Sequence, residues 1–183
     1  VARGYKGPGY SQFSINYVKP EIPTHFEVGS KVQLFDQRLN LSLSAYHTRF
    51  KDFQAQSFDA AELSVVLTNA GKVVTEGVDI QLAAQLTSEL SVSVGGAYVN
   101  AKYDSFEGDL CYAGQPDCVF EGGAAFTDSS GRRMPNAPEW KGIVSVNYEH
   151  ALTDTLNVTV NASALSQSEI NFFSNGDPAG KEG

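Results

Sequence analysis

Aromatic and basic side chains surround the two cysteines of this chain, in a stretch that is rich in glycine. Aromatic faces and guanidinium groups together suit an anionic, aromatic ligand, which they would hold by stacking and by charge-assisted hydrogen bonds. The alternative is that the rings pack the stretch onto itself and that the arginines pair with local aspartates. The predicted substrate-binding residues are Tyr103, Phe106, Tyr112, Phe120, Arg132 and Arg133.

Cys111 and Cys118 lie close together in the sequence, and a disulfide that pins an extracytoplasmic loop is the preferred interpretation. Closing so short a loop would contribute about 2–3 kcal/mol by the chain-entropy estimate. Zinc binding is a weaker alternative, because the chain has only two thiols and no histidine lies nearby in sequence. Two free thiols are the third alternative.

Catalytic signatures are missing from the sequence, so an enzyme is not expected. There is no G-x-S-x-G nucleophile motif, no CxxC and no HExxH. His25, His47 and His150 fall at the ends of different predicted strands and are interpreted as wet-surface residues. The acidic stretch 104–109 lacks the spacing of an EF-hand calcium loop. We therefore expect neither a metal site nor a cofactor.

The elements that would position the ligand-binding residues follow from a regular alternation of apolar and polar side chains. Successive side chains of a strand point to opposite faces, so an alternating run has one apolar and one polar face. A strand that crosses a bilayer at about 45° needs roughly 9–11 residues, which predicts membrane-spanning strands here. The four runs that alternate without a charge on the apolar phase are 26–34, 78–86, 140–148 and 156–164.

Charge and hydrophobicity narrow the class of protein further. A formal net charge of -8 argues against a nucleic-acid partner, because nucleic-acid binding needs a basic surface. Hydrophobic residues make up 42% of the chain, yet no apolar segment approaches the roughly 20 residues of a transmembrane helix. A closed barrel is the remaining way to span lipid, since open sheet edges leave backbone groups unsatisfied there.

The breaks between the predicted strands alternate in length. Short breaks fall at 36–38, 87–89 and 149–155, and long breaks, rich in Gly, Pro, Asp and Ser, fall at 7–24, 56–64 and 106–138. The pattern predicts seven strands in up-and-down order, with tight turns at one end and long loops at the other. Outer-membrane barrels share this asymmetry, so the predicted fold is an all-β, antiparallel, up-and-down transmembrane β-barrel segment.

Two predicted strands are less regular than the others. The alternation slips at Tyr46 in one strand and at Gly95-Gly96 in the other. Since one extra residue turns every later side chain to the other face, we expect a bulge or a glycine kink at each slip. The glycines expected to relieve crowding in a tilted wall are Gly29, Gly77 and Gly142.

Alternation alone does not decide which face of the wall is inside. A lipocalin-like soluble barrel would turn the same aliphatic residues inward around an apolar ligand. The membrane arrangement is preferred, because the long loops share one end and the polar face is dense with Asn, Gln, Ser and charges. Trp140 and Tyr148 also bracket one run, as the aromatic girdles of such barrels do.

Five short motifs follow one another over nearly the whole chain. They are Gly4-Tyr5-Lys6-Gly7-Pro8-Gly9-Tyr10, Pro20-Glu21 before Phe26-Glu27-Val28-Gly29-Ser30-Lys31, Arg38–Tyr46 before Asp52-Phe53-Gln54, Asn69-Ala70-Gly71-Lys72 before Glu76-Gly77-Val78-Asp79, and Ser130-Gly131 before Pro135-Asn136-Ala137-Pro138 and Trp140. No single motif is specific, but together, in this order and spacing, they resemble the barrel region of TonB-dependent outer-membrane receptors.

The resemblance implies that residues 1–183 are a partial receptor barrel without the N-terminal plug domain and the last strands, since family barrels have about 22 strands. It implies that the whole protein, in the outer membrane of a Gram-negative bacterium, takes up a scarce nutrient, most often a ferric siderophore, powered through TonB. Its partners would be the small-molecule ligand, the lipid and lipopolysaccharide of the membrane, and TonB. TonB would bind through the plug domain. A passive porin or a surface adhesin barrel is the alternative.

Overall fold

The computed structural model describes residues 1–10, 17–59, 64–69, 71–121 and 123–182. Seven antiparallel strands form one sheet, in which each strand pairs with the one before it. They are β1 (Ala2–Arg3), β2 (Ile22–Leu34), β3 (Leu39–Lys51), β4 (Lys72–Gln85), β5 (Leu90–Ser105), β6 (Trp140–Thr153) and β7 (Leu156–Gln167). This sheet, which we call the wall, confirms the predicted up-and-down order of the strands. Within the described ranges β1 and β7 are not paired with each other, so the sheet is open.

Short turns join β2 to β3, β4 to β5 and β6 to β7 at one end of the sheet, as predicted. The first turn has three successive non-glycine residues in left-handed conformation, Phe35, Asp36 and Gln37, with φ of 54°, 53° and 68°. The last turn is shorter than the predicted break 149–155, because strand pairing continues to Thr153. No helix in the described part of the chain is long and apolar enough to cross a membrane.

The long connections carry short strand pairs of their own. These are Gly9–Tyr10 with Tyr17–Val18, Gln54–Asp59 with Ser64–Asn69, and Ile170–Asn171 with Lys181–Glu182. The prediction of a plain loop over 56–64 was therefore wrong in part. Ser64–Asn69 is rich in β-branched residues, which favour strands. Residues 60–63 and 11–16 of the predicted loops, and Ala70 of the motif series, lie outside the described residues.

Cross-strand pairing brings the mainly apolar phase of all the long strands onto one face. Directly paired residues share a face of a sheet. The row across the middle of the wall is wholly apolar, and consists of Val32, Leu41, Leu82, Val94, Val144 and Ala164. Two depressions lie on the opposite face, among polar side chains such as Asn40, Ser93 and Asn147. Because the wall of an outer-membrane barrel is apolar on its lipid side, we name the apolar face the outer face and the polar face the lumen face.

A bulge was one of the two expected causes of the slips at Tyr46 and at Gly95-Gly96, and that part of the prediction was wrong, because neither place has one. β3 pairs with β2 and β4 over residues 39–51 without a register shift, and the pairing of β4 with β5 is continuous across both glycines. Tyr46 simply lies on the lumen face. What changes there is the polarity of the outer face, because His47 occupies the next outer position after Ala45. A strand that leaves the membrane keeps its register and changes only its side chains.

Two of the three predicted crowding glycines are in tight surroundings. A Cβ at Gly77 would approach the Tyr98 carbonyl oxygen and would lie 2.6 Å from the Tyr46 hydroxyl. At Gly29 it would lie 3.1 Å from the Leu43 carbonyl oxygen. At Gly142 the nearest atom would be 3.9 Å away, so the expectation of crowding there was wrong.

Candidate ligand-binding loop

Five of the six predicted ligand-binding residues fall in the connection 106–139 between β5 and β6, and Tyr103 lies near the end of β5. Three short strands order it, with Ala124–Thr127 between Asp109–Leu110 and Val119–Glu121. A disulfide joins Cys111 to Cys118, whose Cα atoms are 6.2 Å apart. The Cys111 amide also donates a hydrogen bond of 2.9 Å to the carbonyl oxygen of Ala125. The connection is therefore a small folded unit, closed covalently and by strand pairing.

Buried polar side chains hold the interior of this loop. The Ser129 hydroxyl, which is fully buried, donates to Asp109 Oδ2 at 2.7 Å. Gln115 Nε2 donates to Thr127 Oγ1 at 2.9 Å and to Asp117 Oδ1 at 3.0 Å. The hydrogen bond from Gln115 is the main reason that the pKa of the Asp117 carboxyl is lowered, and the nearby Arg132 charge adds to it. Because these buried polar groups already have hydrogen-bond partners within the loop, the loop conformation is preorganised without a ligand.

Two of the predicted ligand residues, Tyr103 and Phe106, are buried at the base of the loop. They are 3% and 4% exposed, and their ring centroids lie 4.8 Å apart. Val73 completes this cluster, and Met134 packs against it. Burial, with a smaller contribution from the charge of Asp109, raises the pKa of Tyr103 to about 12. These two rings anchor the loop on the wall and are not accessible to a ligand.

The two predicted arginines have different surroundings. Arg132 donates to Asp117 Oδ2 at 3.2 Å and to the carbonyl oxygen of Asn175. It thereby ties the loop to the stretch after β7. Arg133 instead forms an ion pair of 3.1 Å with Glu139 and donates to the carbonyl oxygen of Val99 at 2.9 Å. Because Arg133 is a bridge partner of Lys102, it shares the outer face with that lysine.

Phe120 is the most accessible of the six predicted residues, at 83% exposed. Tyr112 is half-buried, and its amide donates to Gln115 Oε1 at 3.2 Å. Beside Phe120, a depression of about 570 Å³ lies among Asp117, Val119, Phe126 and further acidic and small residues. None of the six predicted residues is among its described lining residues. The structure brings Tyr103 and Phe106 together and leaves the other four dispersed over the loop.

Sequence reasoning did not identify this depression. The depression depends on strand pairing that the sequence does not reveal, in which Val119 and Phe126 are direct cross-strand partners. Val119 is exposed and Phe126 is half-buried, and an apolar pair of this kind beside carboxylates would suit a ligand with both apolar and cationic parts.

A second polar cluster joins the other long connections, and its members come from three of the motifs noted in the sequence. Glu21 and Gln54 are buried, and Glu21 Oε2 accepts a 2.9 Å hydrogen bond from the backbone amide of Gln54. The Gln54 side chain donates to the carbonyl oxygens of Gly7 and Lys19 at 2.9 and 3.0 Å. Asn69 Nδ2 donates to the carbonyl oxygens of Lys19 and Asp52 at 3.1 and 2.7 Å. We name Glu21, Gln54 and Asn69 the loop clamp.

An antiparallel wall with one apolar face, short turns at one end and long folded loops at the other defines a segment of an outer-membrane β-barrel. Comparison with known families identifies which kind of outer-membrane β-barrel this segment belongs to. Residues 1–181 match the family described as "TonB dependent receptor-like, beta-barrel", and the chain belongs to that family. The resemblance inferred from the motifs is thereby confirmed. The family is a group of Gram-negative outer-membrane receptors and not of enzymes.

Curated relatives share the sequence over part of the chain. The metal-pseudopaline receptor CntO of Pseudomonas aeruginosa is 29% identical over 102 residues, which are 56% of this chain and 14% of that protein. The probable TonB-dependent siderophore receptor PiuA of Acinetobacter baumannii is 25% identical over 135 residues, which are 72% of this chain and 16% of that protein. The matched part of the chain thus spans about a seventh of the length of these relatives.

Solved structures show the same fold. The ferric yersiniabactin uptake receptor FyuA of Yersinia pestis superposes on all of this chain, and on 24% of its own, with a TM-score of 0.70 at 18% identity. The siderophore receptor PiuA of Acinetobacter baumannii covers 86% of this chain and 20% of its own, with a TM-score of 0.60 at 22% identity.

Proposed function

We propose that the whole protein takes up a metal chelate, and most specifically a ferric siderophore complex, with energy delivered through TonB. The observation that carries the proposal is the family match over residues 1–181, together with relatives named as receptors for metal-pseudopaline and for siderophores. Residues 1–183 would form part of the barrel wall. TonB would act through a plug domain elsewhere in the protein, and lipopolysaccharide would surround the wall.

Among the six residues predicted from the sequence, we propose that Phe120, Tyr112 and Arg132 contact the ligand. Phe120 is exposed on the short strand Val119–Glu121, where its ring can stack on an aromatic chelate. The guanidinium of Arg132 makes two hydrogen bonds in the structure, which leaves further donors for an anionic group. Tyr103 and Phe106 would support the loop from below, and Arg133 would stay with Glu139.

The proposal is tested by uptake of a panel of ⁵⁵Fe-loaded catecholate, hydroxamate and carboxylate siderophores into cells that carry the full receptor. We expect uptake of at least one chelate, and loss of that uptake when TonB is deleted. Phe120→Ala should weaken binding of the same chelate. Phe35→Ala is the matched control, because Phe35 is 73% exposed but lies in a turn at the opposite end of the wall.

Uptake that persists without TonB would contradict active transport and would support a passive porin. Equal affinity of the Phe120→Ala variant, the Phe35→Ala variant and the parent would contradict the assignment of Phe120 to ligand contact. Binding of no chelate in the panel would contradict the siderophore class.

A further inference from the structure

The small strand pair within 119–127 has two chemically different faces. Val119 and Phe126 are direct cross-strand partners and therefore share one face. Glu121 lies two residues further along the strand from Val119 and points to the same face. Phe120, between them in sequence, lies on the opposite face. We name the face that carries Val119, Glu121 and Phe126 the acidic face.

The depression of about 570 Å³ lies on the acidic face. Val119, Glu121 and Phe126 are among its described lining residues, whereas Phe120 and Arg132 are not. Pockets that hold small molecules have volumes of roughly 300–1,000 Å³. The depression therefore has the size of a small-molecule site, and it is separate from the exposed ring of Phe120.

The acidic face carries apolar surface that the loop itself does not cover. Val119 is 67% exposed and Phe126 is half-buried. The buried interior of the loop is held instead by polar side chains such as Ser129 and Gln115. Removal of apolar surface from water is favourable, so an apolar group of a ligand would be stabilised by covering Val119 and Phe126.

Carboxylates surround this apolar pair, and the described lining contains no basic side chain. Glu121 is exposed. Asp128 Oδ1 accepts a 2.8 Å hydrogen bond from the Ser130 amide. Hydrogen bonds from Ser130 are the main reason that the pKa of Asp128 is lowered, and the charge of Arg132 adds to it. In the described part of the chain, neither Glu121 nor Asp128 has a basic side chain at ion-pair distance.

The third carboxylate of the depression, Asp117, already has partners within the loop. Its Oδ1 accepts a hydrogen bond from Gln115, and its Oδ2 accepts hydrogen bonds of 3.2 Å from Thr127 and from Arg132. The Arg132 charge is thereby compensated at Asp117. This leaves Glu121 and Asp128 as the two carboxylates that are open to a ligand.

We propose that the acidic face binds a ligand group that combines an apolar body with a protonated amine or a guanidinium. Glu121 and Asp128 form charge-assisted hydrogen bonds with the cation, while Val119 and Phe126 cover the apolar body. A bare metal ion is a poorer occupant, because it would leave the apolar pair in water. The inference rests on the proposed function in one respect, since the ligand is then the chelate. It limits the substrates to chelates that carry such a cationic group.

The test is binding of two fluorinated fragments to the full receptor in detergent, measured by ¹⁹F NMR relaxation against receptor-free micelles. 4-(Trifluoromethyl)benzylamine carries a positive charge at neutral pH, and 4-(trifluoromethyl)benzyl alcohol is its neutral counterpart of similar shape. We expect the parent to bind the amine about tenfold more tightly than the alcohol. Tenfold corresponds to about 1.4 kcal/mol, which two partly exposed ion pairs can supply.

Three variants separate the parts of the site. Glu121→Gln with Asp128→Asn should remove the preference for the amine and leave binding of the alcohol unchanged, because only the charges are lost. Val119→Thr should weaken binding of both fragments, since it removes apolar contact and keeps the charges. Phe120→Ala should leave both affinities unchanged, because Phe120 lies on the opposite face.

The matched control is Glu149→Gln with Asp154→Asn, which removes two exposed carboxylates at the turn end of the wall. Equal affinity of the parent for the two fragments, an amine preference that persists without the carboxylates of Glu121 and Asp128, or an equal loss in the control would overturn the proposal. Displacement of the amine by millimolar Ca²⁺ at constant ionic strength would assign the carboxylates to a metal ion and would also overturn it. The fragments need neither iron nor TonB. Failure of this site is thereby distinguished from failure of the uptake function, which is measured separately with the ⁵⁵Fe-loaded chelates.

Discussion

Gln54→Ala should loosen the long connections without unfolding the wall. The side chain is 8% exposed and donates to the carbonyl oxygens of Gly7 and Lys19. The Lys19 oxygen keeps its hydrogen bond from Asn69, whereas the Gly7 oxygen is left without this partner. Each neutral hydrogen bond contributes about 0.5–1.5 kcal/mol to stability. Two lost bonds therefore cost about 2 kcal/mol in the local opening free energy.

This cost predicts hydrogen exchange about 30-fold faster in peptides that span 50–56 and 67–72 of the full receptor, since 1.4 kcal/mol is about a tenfold change. Exchange by the backbone of the membrane-spanning strands should not change. The assay is hydrogen–deuterium exchange with mass spectrometry, at a pH where exchange follows local opening.

Gln33→Ala is the matched control for this experiment. Gln33 Nε2 donates a 3.0 Å hydrogen bond to Asn40 Oδ1 on the lumen face, but Gln33 is exposed and Asn40 is only half-buried. An exposed substitution of this kind changes stability by about 0.5 kcal/mol or less. Equal acceleration in the two variants, or none in Gln54→Ala, would refute the reasoning that the loop clamp couples the connections.

Three further predictions concern the loop and the wall. Replacing Cys111 and Cys118 by serine should cost about 2–3 kcal/mol of loop stability and speed protease cleavage within 106–139, while unchanged cleavage would contradict a stabilising disulfide. The lowered pKa of Asp117 means that its contribution to loop stability is present above the ordinary value of 3.8 and is lost as pH falls below it. Exchange in the loop, expressed relative to the intrinsic amide rate at each pH, should therefore accelerate on acidification, and Asp117→Asn should remove that dependence. Gly77→Ala should lower the fraction of receptor that folds into the membrane more than Gly142→Ala does, because only the first Cβ meets backbone and ring atoms; equal effects would contradict the crowding.

The wall was predictable from the sequence because its determinants are local. The apolar phase of 26–34 and of 140–148 carries no charge, and pairing in the structure places both apolar phases on the same outer face. The prediction of a bulge at Tyr46 was wrong because the amino-acid sequence does not show directly where the membrane-spanning part of a strand ends. A change of polarity at His47 and a change of register produce the same loss of alternation.

The loop was predictable only in outline because its packing is not local. Tyr103 and Phe106 look like exposed loop aromatics in the sequence, but Val73 and Met134, which are distant in the chain, cover them. The loop clamp had a sequence signal in the motifs that contain Glu21, Gln54 and Asn69. Those motifs identified the residues without showing that they meet, since the contacts join positions up to 50 residues apart.

The central claim is that the apolar face of the wall contacts lipid and the polar face lines the lumen. Spin labels placed singly at residues 78–86 of the full receptor in a bilayer would test it, with collision rates measured against oxygen, which concentrates in lipid. We predict that the rate alternates with a period of two and is highest at even positions such as Ile80, Leu82 and Ala84. Maxima at odd positions, or the same rate at every position, would contradict the account.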